Sequence, residues 1–318
     1  MIRYYRILNE GSVEPQEGLV GADWIHLEAP DKEEMTRVAE EFRFPLDYLL
    51  STLDPDEVSR AEQLEQTKIV QPVLVSLLYP LEPEDRVNEG VYEDQTLSVI
   101  LLDKQIVTCV RKNPDFLDHL LESEFELVKR PINERCLLIE IAWQVTRAYV
   151  YASRDISARM DQIHKQLRAS SKSELLLLLA DLDKSTIYLS TAVAENHPIL
   201  RTLSVAPYLT GEELRREWIH DVLVENHQAE KMLDQTRQML QQLDTTFSSI
   251  IQNNLNETMK KLTSLTIIIT IPCITAGLWG MNVALPFSRD PLAFLVVLAI
   301  TSLLMLLAYL WLKRKDFL

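Results

Sequence analysis

Spacings of three and four residues carry Asn253, Asn256, Met259, Thr263, Thr266, Thr270, Cys273 and Gly277 along one helical face, and almost all of these side chains are small or polar. Leu265, Ile267, Ile268, Ile269, Ile271 and Ile274 fall largely on the other faces. Two kinds of chemistry suit such a stripe. In lipid, small and hydroxylated residues let helices approach closely and need no further purpose. Alternatively, the hydroxyls and amides line an aqueous path and meet hydrated ions there. Periodicity leaves both open. The apolar run that contains the stripe ends in Gly280-Met281-Asn282.

That run, Leu262 to Trp279, carries no charge, and a second uncharged stretch of roughly 20 residues extends from Pro291 to Leu312. Each is long enough to cross about 30 Å of hydrocarbon, which predicts a membrane hairpin. The mean hydropathy of −0.03 looks ordinary only because a long aqueous segment dilutes the two spans. Lys260 and Lys261 precede the first span, while Lys313, Arg314 and Lys315 follow the second. The connecting loop, 283–290, holds only Arg289 offset by Asp290. Basic residues at both outer flanks predict cytoplasmic termini and an outward-facing loop; the expected location is the plasma membrane. MIRYYRILNEG has no apolar run after its early basic residues, so no signal peptide is expected and the N-terminal part should face the cytosol.

Within residues 1–130, 28 acidic side chains stand against 13 basic ones, so the whole net charge of −15 sits there and residues 131–318 are balanced. An acidic surface disfavours nucleic acid as a partner; it either concentrates cations or merely solubilises the domain. Strand-like runs at Trp24–Leu27, Ile69–Tyr79 and Leu97–Leu102, the last followed by Gln105–Val110 as a hairpin, predict a mixed α+β domain. Asp31 and Glu34 have capping-box spacing before a helix. Cys109, Cys136 and Cys273 form no CxxC pair, which predicts free packing cysteines in a reducing compartment. No phosphate loop, HExxH or nucleophile elbow is present, so neither an enzyme nor an ATP-driven pump is expected, and no covalent cofactor.

From 131 to 207 the pattern is an antiparallel helical pair, Cys136–Leu167 and Glu174–Leu203, turning near Ala169–Ser173 and ended by Pro207 and Gly211. Between Glu212 and Ile271 there is neither Gly nor Pro. One helix of about 60 residues, roughly 90 Å long, is therefore predicted, with a stalk over 208–261 feeding the first span, 262–282. Leu233, Leu240, Leu243, Phe247 and Ile250 form a coiled-coil-like seam that a lone chain is not expected to bury fully. The second span occupies 291–312 and the basic tail 313–318. Two spans cannot enclose a pore within one chain, so conduction would demand a symmetric ring of copies.

These residues together resemble the CorA family of divalent-cation channels. The resemblance covers the acidic domain, the paired helices, the stalk, both spans and the tail KRKDFL, and is most specific over NETMKKLTSLTIIITIPCITAGLWGMN, Asn256 to Asn282. It implies a homopentamer with a funnel-shaped cytoplasmic part that conducts magnesium, and often cobalt or nickel. It also implies roles for individual residues. Gly280, Met281 and Asn282 occupy the signature motif, with Asn282 forming an outer ring of amide oxygens. Asn256 matches a pore position at the cytoplasmic side, Met259 and Leu262 the hydrophobic constriction, and Thr270, Cys273 and Gly277 the conduction path. Asp221 matches an aspartate that helps bind regulatory magnesium between neighbouring subunits.

The departures from the family pattern are specific. Where the family has an acidic pair, this chain has Leu49 and Leu50, leaving Asp47, Asp54, Asp56 and Glu57 as substitutes for a partner of Asp221. Thr270 stands where another member has methionine, and the outer loop VALPFSRDP lacks the family's acidic sequence. Asp155, Asp161, Asp181 and Asp183 are scattered among Arg and Lys in the paired helices. His220 and His227 share one face of the stalk. The same architecture would also serve a zinc or cobalt transporter, coupled to protons or not, and a hairpin that only anchors a scaffold or sensor would leave the stripe without a role.

Overall fold

The computed structural model describes residues 1–8, 11–54, 56–81, 91–129, 133–167, 173–211, 213–281, 292–315 and 317. It divides into two compact units, Met1–Leu243 and Asp244–Leu318.

The first unit is built on strands β1 (Ile2–Ile7), β2 (Val13–Gln16), β3 (Trp24–Glu28), β4 (Arg60–Glu62), β5 (Val73–Leu81), β6 (Glu93–Leu101) and β7 (Ile106–Val110). They form one sheet in the order β2-β1-β3-β7-β6-β5-β4. Among the described residues, β3 and β7 alone pair in parallel, with Ile25 opposite Val107 and Leu27 opposite Cys109. The hairpin expected across Asp103-Lys104 is present as β6 and β7, whose register pairs Leu97 with Val110 and Leu101 with Ile106. The run expected from Ile69 becomes strand only at Val73. The hairpin β1–β2 was not anticipated. Its strands hold Arg3, Arg6 and Pro15, which suit an edge pair rather than an apolar core strand.

Helix α1 (Lys32–Phe42) begins at Asp31 as expected. The Asp31 carboxylate accepts the Glu34 N–H at 2.7 Å, and Glu34 accepts the Asp31 N–H at 3.1 Å. This reciprocal cap satisfies two of the N–H groups that a helix start leaves open. Met35, Val38 and Ala39 of α1 pack on Ile25, Leu27, Leu74, Ile100 and Val107 of one sheet face, joined by Tyr48 and Leu49 of the short helix α2 (Asp47–Leu50).

After α3 (Asp115–Leu121), the long helices α4 (Glu134–Leu167) and α5 (Ser173–Leu203) form the expected pair and pack on β5 and β6. Ser173 starts α5, and the rest of the expected turn falls outside the described residues. Covered on both faces, β5 is buried over eight consecutive residues from Val73 to Pro80. Polar side chains set the docking. The fully buried Asn196 donates from Nδ2 to the Leu78 carbonyl at 2.8 Å and accepts the Leu78 N–H at 2.9 Å, imitating a neighbouring strand. Ser185 accepts the Tyr92 N–H at 3.0 Å. Fully buried Glu140 of α4 accepts backbone N–H groups of Glu126, Leu127 and Val128 at 3.0, 3.1 and 2.7 Å.

Helix α6 runs unbroken from Glu213 to Trp279 and contains Pro272. Its seam is, as expected, not buried fully, since Ile250 is only half-buried, but Leu233, Leu240, Leu243 and Phe247 are all at most 7% exposed within the single chain. In the first unit the reason is that α4 and α5 share this helix as a packing partner. Ser157 and Thr236 hydroxyls meet at 3.1 Å, and Leu138, Ala142, Leu200 and Leu203 enclose Ile219 and Val222.

Candidate functional site

In the second unit, the last part of α6 is accompanied by α7 (Ala293–Arg314). Both carry windows long and apolar enough to cross a membrane, and only 6% and 11% of those windows is buried. A core helix of a soluble protein would be largely covered, so these segments expose their apolar surface to something other than their own chain.

The contact between the two segments is narrow. Ser264 is buried and Ile268, Ile271, Pro272 and Thr275 are half-buried on α6; Thr301 and Leu312 are buried and Val297, Met305 and Ala308 half-buried on α7. A hydrogen bond from the Thr301 hydroxyl to Thr275 Oγ1, 3.1 Å long, joins the helices.

The stripe lies on the opposite side. Asn256, Met259, Leu262, Thr263, Thr266, Thr270, Cys273 and Gly277 are all exposed, Met259 and Leu262 at 53% and 56%. At 100° per residue their mean direction is roughly 150° from that of Ser264, Ile268, Ile271 and Thr275. Packing against the chain's own second span therefore does not explain the stripe. Cys273 corrects the expectation of packing cysteines: Cys109 and Cys136 are buried, whereas Cys273 is exposed on this face, and none of the three forms a disulfide.

Two of the stripe's threonines, Thr266 and Thr270, have their hydroxyl hydrogens committed. Thr266 donates to the Leu262 carbonyl at 2.9 Å and Thr270 to the Thr266 carbonyl at 2.7 Å. Each oxygen keeps its lone pairs on the exposed side, so the face presents acceptors. At its end, the Gly280 N–H closes on the Ala276 carbonyl at 2.9 Å, and a β-carbon on Gly280 would sit 3.1 Å from that oxygen. Met281 is exposed, and Asn282 lies outside the described residues.

The candidate regulatory residues are dispersed. Asp221 is exposed on α6. Leu49 is fully buried in the α1-side core with Leu50 packed against it, so both positions serve packing. Asp47 and Glu57 pair with Arg60 at 3.1 and 3.2 Å, and Asp54 accepts the Asp56 N–H. Asp155 accepts from Tyr92 and pairs with Arg159, and His227 faces Glu230 at 3.2 Å. Among the described residues, no three His, Cys, Asp or Glu side chains are gathered closely enough to hold a metal ion.

A cavity of about 610 Å³ between the sheet and α5 does collect carboxylates that the sequence did not single out as a set. Asp54, Asp56, Glu57, Glu93, Asp94 and Glu195 line it together with Arg111, and Asp221 does not. Burial, seconded by Glu195, pushes the Asp94 carboxyl up to about 7 despite a hydrogen bond from Tyr149 at 3.1 Å. A folded-state value above the unfolded one means the native protein binds the extra proton. Asp94 therefore contributes stability that is present below about pH 4 and lost as pH rises through 7. Asp94→Asn is expected to remove up to about 4 kcal/mol of this pH dependence. The check is the difference between variant and wild-type melting temperatures from pH 4 to 8, because buried His26, held down to about 4 by burial, acts in the opposite sense over part of the window.

The sequence profile of the CorA-like Mg2+ transporter proteins matches residues 21–314. The "Cobalt/magnesium transport protein CorA" of Methanocaldococcus jannaschii is 24% identical over 327 residues, covering 99% of each chain. The complete structure of the CorA magnesium transporter from the same archaeon superposes with a TM-score of 0.80 at 19% identity, covering 100% of this chain and 99% of that one. Full-length CmaX follows the same fold with a TM-score of 0.71 at 16% identity and 98% of each chain covered. With nearly its whole length matched, an α+β domain, long helices and a C-terminal apolar helix, this chain belongs to the CorA-like Mg2+ transporter family.

Proposed function

We propose that this chain conducts magnesium passively into the cell through a gated homopentameric pore, each copy contributing the α6 stripe to the wall. The observation that carries the reading is the direction of that stripe: its polar and small residues point away from α7 and are exposed. Five copies placing this face inward would convert exposed acceptors into a wet lining. Thr266 and Thr270 suit a hydrated cation, whose bound waters donate outward and find oxygens already relieved of their own hydrogens. Magnesium dehydrates reluctantly, so neutral oxygens that hold its water shell without stripping it favour passage.

In this reading Asn282 forms the outer amide ring beside Gly280 and Met281, and Thr263, Cys273 and Gly277 line the path below. Asn256 lies at the inner end, with Met259 and Leu262 closing the pore by dewetting. Asp221 helps bind regulatory magnesium. Both termini are cytoplasmic, and lipid covers the remaining apolar surface. An inside-negative potential supplies about 4.6 kcal/mol per divalent ion at 100 mV, so no fuel is required. Cobalt and nickel are secondary substrates.

Liposomes holding the purified protein are expected to take up magnesium in preference to calcium, and Asn282→Ala is expected to lose that preference. Equal preference in the variant would remove Asn282 from the selectivity role. Preferential zinc flux driven by a pH gradient would replace magnesium conduction by proton-coupled zinc transport.

A further inference from the structure

One polar side chain in the second unit breaks the pattern of its neighbours. Thr266 and Thr270 return their hydroxyl hydrogens to their own helix, but Ser264, fully buried, donates to the Phe317 carbonyl at 2.9 Å, 53 residues away in the C-terminal tail. In apolar surroundings a hydroxyl needs a partner. Ser264 finds its partner in the end of another helix.

The acceptor is held in place by the end of α7. The Phe317 N–H bonds to the Leu312 carbonyl at 3.1 Å, as does the Lys315 N–H at 3.1 Å. The first of these spans six residues and fastens Phe317 to the last turn of α7. The Phe317 ring meets the Lys260 ammonium at 5.7 Å from its centroid. Lys260 and Ser264 are one turn apart on the same face of α6, and the constriction residues Met259 and Leu262 alternate with them in sequence but point toward the other side of the helix, so turning α6 about its axis moves both sets together.

We propose that Phe317 is a clasp: it fastens the end of α7 to Lys260 and Ser264 and so positions Met259 and Leu262 in the closed pore. The proposal rests on α6 being the pore helix. A second attachment, Thr301 to Thr275, lies 11 residues further along α6, roughly 16 Å away. One attachment leaves a pivot; two hold the rotation of α6 about its axis against α7. Because Met259 and Leu262 close the path only when they face it, freedom of rotation at the inner end weakens closure. Open-pore conduction, set farther along the stripe, is unaffected.

The test uses the full chain with Ser264→Ala, which deletes the donor, and Ser264→Thr, which restores a hydroxyl. In detergent, carboxypeptidase release of the terminal residues reads the fastening directly. In liposomes, the magnesium concentration that half-closes the channel reads positioning, and maximal uptake at low magnesium reads the pore. Ser264→Ala is expected to speed release of Phe317 and to raise the half-closing concentration, each at least about threefold. Maximal uptake should be unchanged, and Ser264→Thr should restore both readings. Equal release rates would overturn the clasp, and faster release with an unchanged half-closing concentration would overturn its action on the constriction. Wild-type vesicles that pass no magnesium would instead defeat the pore reading and with it the positioning role, while the release rates would still judge the fastening.

Discussion

Thr270→Leu is expected to cut magnesium uptake by liposomes roughly a hundredfold. In a pentamer the substitution removes five hydroxyls that offer acceptors to the water shell of the ion, each worth about 0.5–1.5 kcal/mol. The summed loss is about 3 kcal/mol or more, or two decades in rate. It also places five leucines around the path, where an apolar ring expels water. Leu303→Ile, on the exposed side of α7, is expected to leave uptake unchanged. Tracer uptake into vesicles of matched protein content decides the point. Equal uptake by Thr270→Leu and wild type would mean that the stripe faces lipid or a packing partner, and the hairpin would then be an anchor.

A comparable effect on stability is expected in the first unit from Glu140→Ala. The Glu140 carboxylate accepts three consecutive backbone N–H groups at 3.0, 3.1 and 2.7 Å and a fourth bond from Gln144 Nε2 at 2.9 Å. It ties the segment 126–128 to α4 and is itself fully buried. Truncation strands three donors that the segment cannot pair elsewhere, at about 1–3 kcal/mol for each one left unsatisfied. Allowing for water reaching part of the gap, the loss is about 4 kcal/mol. Thermal unfolding of the full chain in detergent should show a fall of at least about 5 °C. Glu140→Gln, which keeps one acceptor oxygen, is expected to lose less than half as much. A melting temperature unmoved by Glu140→Ala would show that the segment finds other partners.

Local chemistry explains which parts were legible from the amino acids alone. The capping box at Asp31 and Glu34, the hairpin through Asp103-Lys104 and the boundaries of the helical pair depend on residues close in sequence, and the structure has them. The edge pair β1–β2 was not, because β1 carries Arg3 and Arg6 on its two faces, β2 carries Pro15, and the pair takes its place from β3, to which β1 bonds. Glu140 and Asn196 read as surface-type residues by composition. Their partners lie 12–14 and 118 residues away, and only the closed fold brings those backbones to them.

The seam and the stripe show the same division. Three-four spacing in α6 settled that Leu233, Leu240 and Leu243 share one face and that Thr266, Thr270 and Cys273 share another, since a helix turns 100° per residue whatever surrounds it. Spacing carries no record of what each face meets. Tertiary packing covered the leucines within the first unit, placed α7 against Ser264 and Thr275, and left the stripe open. The amino acids by themselves determined a family, two membrane-length segments and a polar line along one of them. Which line serves packing and which remains free was decided only when α7 settled on one side of α6, because burial is a property of pairs of surfaces and not of either one alone.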